Sequence, residues 1–165
     1  MPNASAHDRA CEVLRRNKYL VLATDDEHGP WAAALAFTLV PPRAFCFVSQ
    51  TASRHGSAIA GHRRIAGVIF DSTASAEEVE SIQFAGSARV VKDVDRIAMV
   101  LGLGGGKPDK AEVERIAHDP SVAMYELTVE EAHVLDQAAW IERGVDAREP
   151  VDFDAVAEVV SGEHG

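Results

Sequence analysis

The sequence is poor in cysteine, in basic residues and in long apolar runs. Its two cysteines are too few for a disulfide framework or a four-thiolate metal site. Sixteen Lys and Arg face 26 Asp and Glu, and the net charge of −10 opposes binding to nucleic-acid phosphates or anionic lipids. No segment approaches the roughly 20 apolar residues of a membrane helix, and the N-terminus lacks a signal-peptide pattern. These absences predict a cytoplasmic protein that binds neither nucleic acid nor membrane.

Several motifs of catalysis and nucleotide binding are absent as well. The glycine cluster at 102–108 lacks the first glycine and the Ser/Thr of a P-loop, and Lys107 occupies the third glycine position of the dinucleotide pattern. No G-x-S-x-G elbow presents a serine nucleophile. The seven histidines show none of the ligand spacings of metal sites. We therefore expect no metal, interpret the glycine cluster as a loop between helices, and expect Cys46 to be a small buried side chain.

What the sequence does contain is a series of short strand-like segments separated by tight turns. They cover residues 19–24, 31–40, 44–49, 65–71, 79–91 and 122–127, with one or two short strands more within 132–142. A glycine within 79–91 is expected to mark a bend. This close spacing favours an antiparallel barrel or sandwich over alternating βαβ units. The predicted fold class is therefore mainly β, with peripheral helices.

Four segments have helical patterns. They cover residues 6–17, 56–62, 94–103 and 110–118. We predict one domain over residues 1–149, with the helices of 94–118 inserted between strands. The tail at 150–165 has one amphipathic patch, which predicts a short docking helix or a frayed end.

One turn combines hydroxyl groups, an arginine and a histidine at the start of a short helix. It reads Ser49-Gln50-Thr51-Ala52-Ser53-Arg54-His55-Gly56. Hydroxyls and the free N–H groups of a helix N-terminus can bind a phosphate, and Arg54 would add bidentate contacts. The same residues also allow a plain cap, with Ser53 as N-cap and Arg54 and His55 in solvent. Composition alone favours the cap.

The order of these elements carries a resemblance to a known family. Its motifs are the strand Trp31–Phe37, the turn from Thr51 to His55, the pair Ala66-Gly67, the segment Gln83-Phe84-Ala85-Gly86 and the late pair Trp140-Ile141. Together they resemble the FMN-binding split-barrel superfamily of pyridoxamine 5′-phosphate oxidase-like proteins, and within it the YhbP-like group. The resemblance covers roughly residues 8–143, and Trp140-Ile141 fits the final strand of that group.

The resemblance implies a six-stranded antiparallel split β-barrel that forms a homodimer with cofactor sites at the interface. It implies that the FMN phosphate lies on the turn after the third strand, and that the flavin ring follows the preceding strands largely through backbone groups. The implied cofactor-binding residues are Ala33, Ala34, Val48, Ser49, Gln50, Thr51, Ser53, Arg54, His55 and Gln83. Of these, Gln83 would reach a flavin site, either that of its own chain or that of the partner subunit, and no catalytic residue is assigned.

Two departures from pyridoxamine-phosphate oxidases proper bear on the expected function. The strand at 19–24 has no basic anchor, and the segment after Pro150 is acidic. We therefore expect weak FMN retention and an FMN-dependent oxidoreductase that acts on an unidentified small molecule other than pyridoxamine phosphate. The alternatives are the same fold with the deazaflavin F420 or with haem, and a non-enzymatic module that binds a ligand for sensing or storage.

Overall fold

The protein consists of short strands with helices around them, as seen in a computed structural model that describes residues 4–75, 78–103, 105 and 107–163. The strands are β1 (Tyr19–Asp26), β2 (Gly29–Ala36), β3 (Thr38–Val40), β4 (Ala44–Gln50), β5 (Arg64–Phe70), β6 (Ser81–Val91), β7 (Val122–Leu135) and β8 (Arg148–Pro150). The helices are α1 (Ala6–Arg16), α2 (Arg54–Gly61), α3 (Val94–Leu103), α4 (Lys110–His118), α5 (Gln137–Arg143) and α6 (Phe153–Gly162). The predicted strands and helices before residue 132 are present, with shifted ends.

The sheet closes into a barrel because one continuous segment, Gly29–Val40, supplies the strands at both edges of the sheet. The strand order is β2-β1-β5-β6-β7-β4-β3 with antiparallel pairing, and β8 adds to β7. β2 and β3 stand at opposite ends of this order, yet Phe37 alone separates them along the chain. The run Gly29–Val40 therefore crosses from β1 to β4 and forms a split barrel. Seven strands lie on the path instead of six, since the segment predicted as one strand, 31–40, is divided at Phe37.

Alternate side chains of the strands form the core inside the barrel. The large side chains there with less than 2% exposure are Leu20, Leu22, Phe45, Ile69, Ile82, Tyr125 and Leu127. α1 and α6 contribute to the same core, where the ring of Phe153 lies edge-on to that of Phe45 with centroids 5.2 Å apart. The C-terminal tail therefore forms a helix that docks rather than a frayed end.

α3 and α4 pack against the outside of β4, β6 and β7. Ile97 and Val100 of α3 and Ile116 of α4 meet Cys46 and Met124 in a second apolar cluster. Cys46 is 1% exposed, as the sequence predicted. Residues 104 and 106 of the predicted interhelix loop lie outside the described residues. None of the helices among the described residues is long and apolar enough to cross a membrane.

The bend predicted within 79–91 falls at Gly86. The pairing register of β6 and β7 shifts between Ala85 and Gly86. A Cβ atom added at Gly86 would lie 1.9 Å from the carbonyl oxygen of Thr128. This approach of two backbones excludes any side chain, so glycine is required there.

The assignment of Trp140-Ile141 to a final strand is wrong, because both residues lie on α5. Asp136 caps this helix by accepting a hydrogen bond from the Ala139 N–H (2.9 Å), and Gly144 ends it in the left-handed region at φ 63°. Such caps outweigh the strand preference of Trp and Ile. The strand predicted to end near residue 127 instead continues as β7 to Leu135 and pairs with β8.

Candidate functional site

The barrel is open between β2 and the second half of β4. β3 pairs with Ala44–Cys46, whereas Phe47–Gln50 pair with β7 alone among the described strands. β2 likewise has β1 as its single partner strand in the described part of the chain. The two strands diverge from Phe37, and backbone N–H and C=O groups on the facing edges lack a ladder partner. We call this opening the split.

Five of the implied cofactor-binding residues lie on the edges of the split. Ala33 and Ala34 belong to β2, and Val48, Ser49 and Gln50 belong to β4. Because successive side chains of a strand point to opposite faces, Ala34 is exposed outside the barrel while Ala33 is half-buried. A ligand in the split would therefore meet both alanines mainly through backbone groups.

A small apolar cleft marks the point where the split begins. It has a volume of about 140 Å³, and Phe37, Cys46 and Val48 line it together with Val100 of α3. Cofactor and ligand pockets commonly measure about 300–1,000 Å³. One copy of the chain therefore does not enclose a ligand of that size at this position.

The turn after β4 begins α2 with a regular helix cap. Ser53 Oγ accepts a hydrogen bond from the Gly56 N–H (3.1 Å) and donates one to the Gln50 carbonyl (2.7 Å). Thr51 Oγ1 donates to the Pro120 carbonyl (2.7 Å). The cap that composition favoured is confirmed, and both hydroxyls are bonded within the protein. The N–H groups of the first two helical residues have no acceptor within the helix and can bind an anion.

His55 is buried rather than solvated. It is 9% exposed, its Nε2 lies 2.9 Å from Ser49 Oγ, and its ring is edge-on to Phe47 with centroids 5.9 Å apart. Burial lowers the pKa of the imidazole, so His55 is neutral at pH 7. The imidazole therefore offers a phosphate no charge.

Arg54 reaches from the turn to β1 and β2. Its Nε donates to Asp26 Oδ2 (3.1 Å), and its Nη2 donates to Asp26 Oδ1 (3.3 Å) and to the Gly29 carbonyl (3.2 Å). The guanidinium carbon lies 4.6 Å from the ring centroid of Trp31. These contacts bridge the far end of the split and leave Nη1 without a bond among the described residues. Arg54 is therefore fixed in place, and not free in solvent as a plain cap would allow.

A cleft of about 650 Å³ lies between the β1–β2 turn and α2. Its walls are formed by Asp25, Asp26, Glu27 and His28 on one side and by Arg54, Ser57, Ala58, Gly61 and His62 on the other. Hydrogen bonds from Arg54, and then from the His28 N–H, lower the pKa of Asp26. The cleft thus carries three carboxylate side chains against one guanidinium.

Gln83 stands apart from the turn within one chain. It lies on β6 opposite His133, and its side-chain oxygen accepts a hydrogen bond from Arg148 Nε (2.7 Å). Arg148 in turn lines an exposed cleft of about 390 Å³ with Trp140 and Ile141. The structure does not bring Gln83 to Arg54, and its reach into the site of a partner subunit stays a prediction.

Asp26 belongs to this site, although the sequence indicated only a turn residue. Asp26 lies opposite Gly29 at the end of the β1–β2 hairpin, which brings its carboxylate to the start of α2. Because this contact joins residues that are 28 positions apart in the sequence, no local motif predicts it. In the described parts of the chain, no three His, Cys, Asp or Glu side chains are grouped so that they could hold a metal ion.

Comparison with protein-family profiles identifies the family to which this chain belongs. The profile of the pyridoxamine 5′-phosphate oxidase family matches residues 6–136, which include the split, the turn and Arg54. The chain belongs to the pyridoxamine 5′-phosphate oxidase family. The predicted superfamily is thereby confirmed. No curated protein matches the sequence.

Solved structures share the fold of this family member. A haem-binding protein from Mycobacterium smegmatis matches with a TM-score of 0.68 and 18% identity, over 94% of this chain and 61% of its own. The haem storage protein HutZ from Vibrio cholerae matches at 0.60 and 15%, over 77% and 92%. General Stress Protein 26 from Bacillus anthracis matches at 0.59 and 10%, over 88% and 98%. This chain thus spans less than two thirds of the mycobacterial protein, and at such identities the likeness is one of fold.

Proposed function

We propose that the protein is an FMN-binding oxidoreductase that acts on a small molecule as a homodimer, with a cofactor site at the interface. The split carries this proposal, because two strand edges with unpaired backbone groups lead to the N-terminus of α2 and to Arg54. Such edges can hydrogen-bond the polar side of a flavin ring, and a helix N-terminus with an arginine suits its phosphate. A bound flavin would supply the hydride chemistry, while this chain would hold and orient it.

The residues of the turn fit a phosphate through fewer groups than the resemblance implied. The hydroxyls of Thr51 and Ser53 are bonded within the protein, and His55 is buried beside Ser49. The first N–H groups of α2 and Nη1 of Arg54 remain as donors. This donor set supports a weakly held phosphate.

An apolar outer face of the barrel supports the homodimer. On β1, β2 and β5, the apolar side chains that point away from the core are Tyr19, Val21, Ala23, Ala32, Ala34, Ala36, Ala66, Val68 and Phe70, and the charged side chains of Asp25 and Arg64 lie at one end of this face. Tyr19 is 64% exposed. These apolar side chains lie together on the surface although the chain as a whole carries a net charge of −10. A contiguous apolar face of this kind is typical of an interaction surface. A second copy against it would also supply the wall that the cleft near Phe37 lacks.

Haem is the second candidate, since two of the structural relatives are haem proteins by name. Haem iron needs an axial ligand, which is often histidine. The implied cofactor-binding residues include one histidine, His55, which is buried and has its Nε2 bonded to Ser49 Oγ. His28 and His62 are exposed and line the cleft beyond Arg54. At the split itself, the burial of His55 favours flavin over haem. A deazaflavin and a non-enzymatic ligand-binding role are the remaining alternatives.

The cytoplasm is the proposed compartment, because both thiols are free and buried.

Equilibrium dialysis of the purified protein against FMN, riboflavin or haem, read by visible absorption, tests the cofactor. We expect FMN to accumulate with the protein and haem to stay at its free concentration. Haem bound in place of FMN would support the second candidate, and no bound flavin would refute the proposal. NADH or NADPH oxidation by the FMN-loaded protein then separates an enzyme from a binding module.

Sedimentation velocity tests the homodimer with a matched pair of variants. Ala34→Glu puts a charge on the apolar outer face, and Val159→Glu puts the same charge on the exposed side of α6. We expect Ala34→Glu to sediment as a monomer and Val159→Glu to remain dimeric. A wild-type monomer, or two dimeric variants, would contradict the proposed interface.

A further inference from the structure

The cation of the proposed phosphate site already has an anionic partner in the protein. Arg54 and Asp26 form an ion pair through two nitrogens and two oxygens, at 3.1 and 3.3 Å. Their side chains are 33% and 17% exposed, so ligands and solvent can reach both groups. A phosphate that approaches Arg54 therefore meets a guanidinium whose charge is balanced.

Few N–H groups of this guanidinium remain available to a phosphate. Bidentate recognition of a phosphate uses two neighbouring N–H groups of the arginine fork. Nε and Nη2 donate to Asp26, Nη2 also donates to the Gly29 carbonyl, and the guanidinium lies over the ring of Trp31. The two N–H groups of Nη1 remain, but they diverge and do not form a fork by themselves. A bidentate contact through Nε and Nη2 therefore requires that Asp26 release Arg54.

The other charges of the cleft act in the same direction. Asp25 and Glu27 flank Asp26 and line the same cleft. His28 and His62 line it as well. A dianionic phosphate is therefore repelled on its way to Arg54.

We propose that Asp26 is a specificity-determining residue of this site, which competes with the ligand phosphate for Arg54 and makes the flavin an exchangeable ligand. The inference rests on the proposed function, since it concerns the same phosphate. It makes the phosphate contribute little to affinity in the wild-type protein. FMN and riboflavin therefore bind with similar strength, and removal of the Asp26 charge separates them.

The test compares Asp26→Asn with Asp25→Asn. Both variants change the charge by one unit in the same cleft, and the asparagine at position 26 keeps an oxygen that can accept from Arg54. Fluorescence quenching measures the affinity for FMN and for riboflavin. We expect Asp26→Asn to bind FMN about three- to tenfold more tightly, because a partly exposed charge interaction is removed. We expect Asp25→Asn to change FMN affinity less than about twofold, and riboflavin to bind all proteins equally.

Each outcome decides between the two proposals. FMN affinity that is unchanged or lower in Asp26→Asn, or that rises equally in both variants, overturns the role of Asp26 and leaves the flavin site intact. No flavin binding by any protein refutes the proposed function. In that event inorganic phosphate, titrated against the thermal unfolding midpoint, is the second probe. Stronger stabilisation of Asp26→Asn than of Asp25→Asn supports competition for Arg54, and equal stabilisation refutes it.

Discussion

Two clusters of arginine and carboxylate side chains differ in their ratio of positive to negative groups and in their burial. In the first, Glu126 of β7 is buried with a side chain 7% exposed, and both of its oxygens are occupied. Arg89 donates to Oε1 through Nε (2.9 Å) and Nη2 (2.5 Å), and Arg96 of α3 donates to Oε2 through Nε (3.0 Å) and Nη2 (2.6 Å). Two cations here serve one anion and join α3 to the barrel.

In the second cluster, one arginine faces several carboxylates at the edge of an open cleft. The bonds between Arg54 and Asp26 are longer, at 3.1 and 3.3 Å, and both groups can be reached by solvent. A buried charge loses far more than an exposed one when its partner is removed. The Glu126 cluster is therefore costly to break, whereas the Arg54–Asp26 pair can be reached by a competing anion, as its proposed role requires.

The largest expected effect follows from removal of both arginines around Glu126. Arg89→Ala with Arg96→Ala leaves a buried carboxylate unpaired, and we expect a loss of about 3–5 kcal/mol of unfolding free energy at pH 7. Urea unfolding measures this loss. The control replaces Arg64 and Arg115, whose ion pairs are exposed, and should change stability by less than about 1 kcal/mol. Equal losses in both double variants would remove the distinction between buried and exposed clusters.

The pH dependence of the unfolding free energy also tests whether the Glu126 carboxylate depends on its two arginines. Burial raises the pKa of Glu126, but the hydrogen bonds and charges of Arg96 and Arg89 outweigh it, so the pKa lies below its ordinary value. The stabilisation from Glu126 is thus present above the unfolded pKa of about 4.3 and is lost as the pH falls through the folded pKa. In the double arginine variant, burial alone raises the pKa, and the variant loses less or gains stability on acidification.

Urea unfolding at pH 7, 5.5 and 4 should therefore show the gap between wild type and the double arginine variant narrowing with acidity. The control with Arg64 and Arg115 replaced should keep a nearly constant gap over that range. A gap that stays constant or widens for the Glu126 cluster would mean that its carboxylate does not depend on the two arginines.

A smaller effect is expected at the exposed cluster, and it concerns binding. Arg54→Ala removes the guanidinium but leaves the three carboxylates of the cleft, so we expect FMN affinity to fall by about 1.5 kcal/mol, or roughly tenfold, below that of riboflavin. This is the lower end for a charge-assisted hydrogen bond, because Asp26 shares Arg54. Riboflavin affinity should stay unchanged. Equal losses for FMN and riboflavin would show that Arg54 supports the fold of the turn and not the phosphate.

The sequence predicted the fold better than it predicted the contacts of the site. The short continuous apolar runs of β1 and β4, and the proline break after Val40, are local signals, and they located these strands. The division at Phe37 and the helix at Trp140 depend on tertiary pairing and on caps, which periodicity does not reveal. The turn at Ser53 was located from its residue types. The partner of Arg54 was missed because Asp26 lies far away along the chain and meets it only when the barrel closes.

The smallest effect concerns a thiol beside the buried cluster. Burial, and then the charge of Glu126, raise the pKa of Cys46 to about 12, and the side chain is 1% exposed. We expect no measurable alkylation of Cys46 in the native protein at pH 8 and full reaction in urea. Peptide mass spectrometry can separate Cys46 from Cys11. Rapid native alkylation of Cys46 would show that the Glu126 cluster opens readily.

We propose that the split and the turn before α2 bind the phosphate-bearing flavin. Amide chemical shifts of the ¹⁵N-labelled protein during FMN titration test it most directly, with riboflavin as the reference ligand. We expect shifts along the edges of β2 and β4 with both ligands, and shifts at the amides of Arg54 and His55 with FMN alone. Shifts confined to the cleft around Trp140, or no shifts at saturating FMN, would contradict it.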